Sequence, residues 1–450
     1  MGGKVKASKE AISVSKISNM SQKSVKSVSK NSKADDGTIS KTTSAAQSTH
    51  STAVGASKRE NTDITLTAEL QKELNTCKYY HGMMPRDEIE DLLKKDGDFL
   101  LRKTDVKGIS KVAISVFYKG RVRHILMAYT SGGWVLKEQK FKTIQELVDY
   151  YVKTKNIIQT EGTYIKEPVP RPDFYILHEH IELQKKLGGG AFGDVHIGIL
   201  KRGKEETKVA VKKLKGMMMK KQRADFVKEA RLMRRFDHPN IVRVIGVAPQ
   251  EDPLMIILEL APNGALNSYL KKHPQTPPDV CFSMVKDGCR GMTYLANMKV
   301  IHRDIAARNC LLGANNEVKI SDFGLSVADK NVIKLDKLNK MPVKWLAPET
   351  LGKGEFSQKS DIWSFGILIW EIFKKCETDP YPNITNIEAK AKILAGETLD
   401  APAGTSPLCA AAMKLCFLKN PTDRPDFEGL LKILSPNEKP PPKASDFETY

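Results

Sequence analysis

Long apolar runs are missing from this chain, and none approaches the ~18 residues that a bilayer span needs. The nearest, Ile362 to Phe373, is interrupted by Ser364, Gly366 and Glu371 and reads as a buried helix. Cysteines are few and scattered: Cys77, Cys281, Cys289, Cys310, Cys376, Cys409 and Cys416 are odd in number and show no CxxC spacing. That pattern argues against a disulfide framework and a zinc site and points to reduced thiols. The start, Met1 to Ser8, has no apolar signal-peptide core. Lys6 stands where a myristoylation motif wants Ser or Thr, so Gly2 acylation is the minority reading. Aromatics are absent before Tyr79. Acidic residues are scarce over the first fifty positions, where only Glu10, Asp35 and Asp36 face Lys4, Lys6, Lys9, Lys16, Lys23, Lys26, Lys30, Lys33 and Lys41. A sizeable part of the net charge of +19 therefore belongs to a tail, and at 450 residues the chain is long enough for two or three domains.

Residues 1 to 60 are rich in Ser, Thr, Lys and Ala, with SVSK at Ser13 to Lys16 and again at Ser27 to Lys30. So little apolar surface cannot offset the entropy of ordering, and a disordered tail is expected over 1–76, with a short helix at its end from Leu66, Leu70 and Leu74. The tail is either simply solvated or weakly drawn to anionic lipid, each basic residue contributing about 1 kcal/mol near a charged leaflet. It lacks the aromatic interleaving and the fold motifs of a nucleic-acid binder.

From Tyr79 the pattern becomes that of a small mixed domain. Pro85 opens a helix whose stripe is Ile89, Leu92 and Leu93. Strands follow at Phe99 to Leu101, at Val112 to Tyr118 with Val112, Ile114, Val116 and Tyr118 on one face, and at Val122 to Met127, with Lys119-Gly120 as the turn. Ile144, Leu147, Val148 and Tyr151 mark a second amphipathic helix. Helix, antiparallel sheet and helix, with Tyr80-His81-Gly82, Phe99-Leu100-Leu101-Arg102 and Val122-Arg123-His124, resemble an SH2 domain over residues 77–166. The resemblance implies that Arg102 binds phosphotyrosine through its guanidinium fork, with Arg86 on the first helix, Thr104 after the strand, Ser110 in the following loop and His124 completing the pocket. Tyr79 replaces the family's tryptophan, and Leu126 replaces a frequent lysine.

A proline-punctuated connector, Lys166 to Asp173 within residues 167–180, is expected to be short and semi-rigid and to hold two folds close; a PxxP ligand is the alternative reading. Then Leu187-Gly188-Gly189-Gly190-Ala191-Phe192-Gly193-Asp194-Val195 sets out GxGxxGxV, whose glycines let backbone amides approach phosphate oxygens. The next element, Val209 to Lys212, is a strand ending in lysine rather than a helix, and Glu229 lies in the helical run Phe226 to Met233. Ile301 to Leu312 reads IHRDIAARNCLL, and Asp322-Phe323-Gly324 follows. A carboxylate, an amide and a second carboxylate in this order suit phosphoryl transfer, which is served mainly by positioned charge and metal.

These motifs resemble those of protein kinases, and the AAR between Asp304 and Asn309 with Pro342-Val343-Lys344-Trp345 resembles the tyrosine-kinase form. The implied fold class is α+β multidomain: an SH2 domain, then a bilobal protein kinase fold over 181–436, then a Pro/Lys-rich tail over 437–450. The resemblance assigns proton acceptance to Asp304, with Arg308 near the transferred phosphate and Asn309 and Asp322 on Mg²⁺. ATP falls to Leu187, Gly188, Gly190, Gly193, Val195, Ala210, Lys212 with Glu229, and the hinge residues Glu259 and Ala261 beside the gatekeeper Leu258. Glu349 is expected to pair with Arg424, and the helix around Asp361 to be structural.

Residues 79 to about 435 resemble a non-receptor tyrosine kinase of the Fes/Fer type. The resemblance does not include the membrane-curving coiled-coil region of full-length Fes and Fer. It implies ATP and Mg²⁺ as cofactors, tyrosine-containing proteins as substrates, phosphotyrosine proteins as SH2 partners, no nucleic acid, and a cytoplasmic monomer with weak membrane contact through its tail. The competing reading is a pseudokinase adaptor, supported only by the absence of tyrosine between Asp322 and Glu349, where Ile333 or a neighbour stands in place of the usual phosphorylated residue. SH2 docking on the small lobe is expected to set activity instead. A latch by Tyr450 is disfavoured because nothing follows it for an SH2 domain to read.

Overall fold

The computed structural model describes residues 67–106, 109–189, 193–215, 220–338 and 341–442. The expectations for the N-terminal tail, Leu66 and Gly190 lie outside them.

The first domain starts earlier than the tyrosine-histidine-glycine motif. Helix α1 (Ala68–Thr76) is capped by the Thr67 hydroxyl and buries Leu70 and Leu74 in the core of the following fold, so it belongs to the domain rather than to the tail. Helix α2 (Arg86–Glu90) precedes strands β1 (Asp98–Val106), β2 (Ile109–Tyr118) and β3 (Arg121–Leu126). A small second sheet, β4 (Ala128–Thr130), β5 (Gly133–Leu136) and β6 (Gln139–Phe141), leads to α3 (Ile144–Thr154), which carries a Thr143/Glu146 capping box. The turn before β3 has left-handed Lys119 and Gly120, the geometry of a tight hairpin.

Two expectations change here. Val112 to Val116 are all buried, because the central strand is covered on both faces instead of one. Thr104 and Ser110 lie within β1 and β2, since those strands run on to Val106 and from Ile109. The connector also differs: β7 (Glu167–Pro168) pairs in parallel with β1, giving the order β3-β2-β1-β7, and Arg171 bonds the carbonyls of Asn75 and Tyr80.

A five-stranded sheet follows in the order β11-β12-β10-β9-β8. Its strands are β8 (Ile181–Gly189), β9 (Gly193–Arg202), β10 (Glu205–Leu214), β11 (Val244–Ala248) and β12 (Met255–Glu259), with helix α4 (Lys220–Met233) between β10 and β11. The large lobe is mostly helical around the long helix α6 (Pro278–Asn297), which follows α5 (Leu266–Lys272), and its core includes Trp363, Phe365 and Phe427. Short strands β13 (Gly264–Ala265), β14 (Val300–Ile301), β15 (Cys310–Leu312), β16 (Val318–Ile320), β17 (Val327–Ala328) and β18 (Val332–Lys334) frame the loops. Helix α7 (Pro348–Lys353), strand β19 (Glu355–Ser357), helix α8 (Gln358–Phe373) and helices α9 (Asn386–Ala395), α10 (Pro407–Cys416) and α11 (Phe427–Leu434) complete it. Every residue of α8 from Ser360 to Phe373 is buried. Arg424 meets Glu349 through two bonds at 2.7 and 2.9 Å, a buried structural bridge.

The first domain packs directly on the small lobe. One apolar cluster contains Met83, Met84, Ile89 and Leu100 together with Phe226, Val227 and Ala230 of α4 and Val247 and Ile256 of the sheet. Around it Arg231 of α4 meets Glu88 at 3.2 Å and Asp91 at 2.7 Å, and the Met83 amide donates to the Pro249 carbonyl at 2.7 Å. Gly82 is needed at this seam: its φ is +64°, and a Cβ would lie 2.2 Å from the Pro249 carbonyl oxygen. Gly82→Val should therefore cost about 1–3 kcal/mol and uncouple the two folds. Calorimetry would then resolve two unfolding transitions where the parent shows one; a single unshifted transition would contradict the packing.

Candidate active site

The β-ladder sets three of the candidate residues abreast: Gly188 opposes Val195, and Val195 opposes Lys212. A Cβ at Gly193 would meet the Lys213 carbonyl at 2.6 Å, whereas one at Gly188 would meet nothing, so the first glycine closes the hairpin and the second leaves open space. Leu187 is an apolar group left 52% exposed, and Ala210 is buried on the sheet opposite Leu258. At the hinge Glu259 donates its amide to the Arg243 carbonyl, and the Ala261 carbonyl accepts from Gly264.

Lys212 Nζ lies 2.6 and 2.9 Å from the two carboxylate oxygens of Glu229 and 3.8 Å from Asp322 Oδ1. Burial pushes the Glu229 carboxyl up and the Lys212 ammonium opposes that, so the pair stands only while both members are present. Glu229 and Arg231 share α4. The helix that presents a carboxylate to Lys212 is the helix on which the first domain packs.

The loop carrying Asp304 is held from beneath. Asp304 pairs with Arg308, and the Asn309 amide nitrogen donates at 2.7 Å to both the Asp304 carbonyl and Oδ2. The Arg308 guanidinium covers the Trp345 ring at 4.7 Å, which ties the loop to the Pro342 to Trp345 segment. Arg303 has φ +73°, a left-handed backbone that a long side chain rarely adopts. It is sustained by Asp361, whose two oxygens accept from the His302 amide at 2.7 Å and the Arg303 amide at 2.9 Å. Burial raises the Asp361 carboxyl to about 7 against the pull of those donors. Glu371, likewise raised to about 7 by burial, accepts from the Ala307 amide. Sequence reasoning treated Asp361 as merely structural and gave Glu371 no role. Both fall in a helix that reads as core, and only their being carboxylates at buried positions hinted at partners.

Asp322 also has a left-handed backbone, φ +61°, and a 54% exposed carboxylate. With the Asn309 nitrogen committed to Asp304, its amide oxygen is the atom left to serve a cation. Among the described residues no group of three or more His, Cys, Asp or Glu converges. A divalent ion held by Asn309 and Asp322 would take its remaining oxygens from phosphates and water, and the donor set fits a metal-bound nucleotide.

The segment without tyrosine is ordered by packing. β18 pairs with β19 so that Ile333 opposes Phe356, and the Arg303 guanidinium lies over the Phe356 ring at 4.6 Å while its Nη1 bonds the Leu325 carbonyl. Apolar cover and a cation on an aromatic face hold this segment against the loop that carries Arg303.

In the first domain Arg102 is buried. One nitrogen, Nη2, donates to the Met84 carbonyl at 3.0 Å, while among the described residues Nε and Nη1 have no partner, which leaves two buried donors suited to an anion. Burial, then the neighbouring Arg86, lowers its pKa to about 10. His124 is held by the Ser115 hydroxyl at 2.8 Å and by Glu90 at 3.3 Å. Glu90 and Ser115 were not legible as pocket residues, because neither falls in a recognisable motif.

The catalytic-loop geometry and the strand-borne lysine decide the family, and the comparisons agree. Residues 181–434 match the family model described as protein tyrosine and serine/threonine kinase, and residues 79–151 match the SH2 domain. The chain belongs to the protein kinase family. Fer-related kinase 1 of Caenorhabditis elegans is 41% identical over 385 residues, 84% of this chain and 97% of that protein. Tyrosine-protein kinase Fer of Rattus norvegicus is 38% identical over 82% of this chain, which spans 45% of that protein. The transforming protein Fps of an avian sarcoma virus is 36% identical over 81% of the chain, which spans 68% of that protein. The chain is thus an SH2 domain followed by a kinase domain of the Fer/Fes kind.

Asp361→Asn would turn an amide donor toward a backbone N–H. It should cost about 2–4 kcal/mol in stability and lower kcat at least tenfold with the KM for ATP little changed. Thermal unfolding with steady-state kinetics checks this; an unaltered kcat would remove Asp361 from the support of the loop.

Proposed function

We propose that this kinase is an ATP-dependent non-receptor protein tyrosine kinase, transferring the γ-phosphate of ATP to tyrosine in proteins that its SH2 domain helps to select. The observations that carry this reading are the Asp304, Arg308 and Asn309 cluster and the Lys212–Glu229 pair, with Lys212 also 3.8 Å from Asp322. Asp304 accepts the phenol proton and Arg308 lies by the transferred phosphate. Lys212, steadied by Glu229, binds the α- and β-phosphates, under the cover of Leu187, Gly188, Gly190, Gly193 and Val195. Ala210 and the backbone of Glu259 and Ala261 receive the adenine. Asn309 and Asp322 hold Mg²⁺, which neutralises charge on the phosphates when bound. Arg102, with Arg86, Thr104, Ser110 and His124, takes phosphotyrosine.

The protein acts as a monomer in the cytoplasm, partly at the cytoplasmic face of the plasma membrane through its lysine-rich tail, and nucleic acid is not among its partners. No described helix is long and apolar enough to cross a membrane. Activity is set by SH2 packing on α4 rather than by phosphorylation of the loop around Ile333. The packing of Met83, Met84 and Ile89 against Phe226, Val227 and Ala230 supports this.

Incubation with ATP, Mg²⁺ and a tyrosine-containing polymer should label tyrosine without a lag, whether or not ATP is supplied beforehand. Asp304→Asn should lower the rate by about 100-fold or more. Removing residues 67–166 should slow it as well. Failure of the intact protein to label the polymer would leave only a phosphotyrosine-reading adaptor, and an unchanged rate after the deletion would end the docking account. Separately, Arg102→Ala should abolish binding of phosphotyrosine peptides, read by fluorescence anisotropy.

A further inference from the structure

In the large lobe the Lys375 Nζ lies 2.6 Å from the Cys281 Sγ. Even an N–H···O bond, to a smaller acceptor, runs ~2.7–3.2 Å. Elsewhere in the chain contacts to sulfur are longer: Arg223 Nη1 stands 3.6 Å from Met83 Sδ, and the Cys376 and Cys289 sulfurs stand 3.5 and 3.9 Å from their carbonyl oxygens. The gap is still too long for a direct S–N bond, since even two sulfur atoms bond at ~2.0 Å. One bridging oxygen fits it.

Two helices build the pair. Cys281 is fully buried in the first turn of α6. Helix α8 closes on Lys375 at the left-handed position that glycine usually fills: its φ is +55°, its amide donates to the Ile372 carbonyl at 3.1 Å, and the Cys376 amide donates to the Glu371 carbonyl at 2.8 Å. From that turn the Lys375 side chain reaches back to α6, and its Nζ also donates to the Thr276 carbonyl at 2.7 Å. Lys375 lines a recess of about 770 Å³ together with Lys271, Pro274, Trp370 and Asp400. A small oxidant therefore reaches the amine from solvent, with the sulfur directly behind it.

We propose that Cys281 and Lys375 form a reversible, peroxide-driven cross-link, a sulfur–oxygen–nitrogen bridge that staples the start of α6 to the end of α8. One hydrogen peroxide oxidises the thiol to a sulfenic acid and yields water. A second gives one oxygen to the unprotonated Lys375 amine, leaving a hydroxylamine and water. The hydroxylamine oxygen then bonds the sulfenic sulfur, and the sulfenic hydroxyl departs with the hydroxylamine proton as a third water. Sulfur and nitrogen each give up two electrons, and each peroxide accepts two. Excess thiol reverses the change, restoring thiol and amine while the bridging oxygen leaves as water. Capture by the adjacent amine keeps the sulfur from advancing to the irreversible sulfinic acid. The bridged residues are 94 positions apart, so the staple removes a large share of loop freedom from the unfolded chain. It also fixes the end of the helix whose Glu371 accepts from the Ala307 amide of the catalytic loop.

The test treats the full chain with hydrogen peroxide, removes the excess with catalase and digests the protein without reductant. Mass spectrometry should find the Cys281 and Lys375 peptides joined, at the sum of their masses plus one oxygen and minus two hydrogens, and dithiothreitol should separate them. The treated protein should unfold about 5 °C or more above the untreated one. Lys375→Arg keeps the positive charge without a primary amine, and Cys281→Ala keeps the buried site apolar. Each should retain the parent's circular dichroism and give neither the joined peptides nor the shift. Joined peptides without the extra oxygen would overturn the proposal, being a direct S–N link or, where Lys375→Arg still forms them, a disulfide to Cys376. Cys281 recovered as sulfinic acid beside an unmodified Lys375, or left untouched by peroxide that oxidises methionines of the same chain, would overturn it as well.

Discussion

The placement of helix α4 is the constraint on which the rest depends. One side of it supplies Glu229 to the Lys212 ammonium, and another packs Phe226, Val227 and Ala230 against Met83, Met84 and Ile89 of the SH2 domain. A carboxylate buried this deeply is tolerated only while its cation is within bonding distance. The partner of Lys212 and the seam with the SH2 domain therefore sit on one element.

A second support lies under the catalytic loop. The left-handed backbone of Arg303 is fixed by Asp361, and the Ala307 amide is anchored by Glu371, both from the buried helix α8. The Arg303 side chain then rests on Phe356 opposite Ile333, so apolar packing and a cation on a ring hold the loop.

Much of the site was legible because phosphoryl transfer tolerates few substitutes at fixed spacing. Asp304, Arg308, Asn309, Lys212 and Glu229 were named from spacing and family likeness, and the fold brings the first three into one cluster and the last two into a pair. Arg102 was legible as a cation in an apolar strand, and among the described residues two of its buried nitrogens have no partner. What escaped were properties of three-dimensional neighbours. The burial of β2 on both faces, the capture of Glu167–Pro168 as an edge strand and the inclusion of Leu70 and Leu74 in the SH2 core depend on what packs over them. Glu90 beside His124 and Asp361 beneath Arg303 had no motif to mark them.

Charge exchange across the seam tests the role of α4 most directly. Arg231→Glu places a carboxylate against Glu88 and Asp91 and should lower the phosphorylation rate about threefold or more, and adding Glu88→Lys and Asp91→Lys should restore it. A rate indifferent to Arg231→Glu, or a loss that the reversed partners do not recover, would show that the kinase takes no instruction from the SH2 domain through this helix.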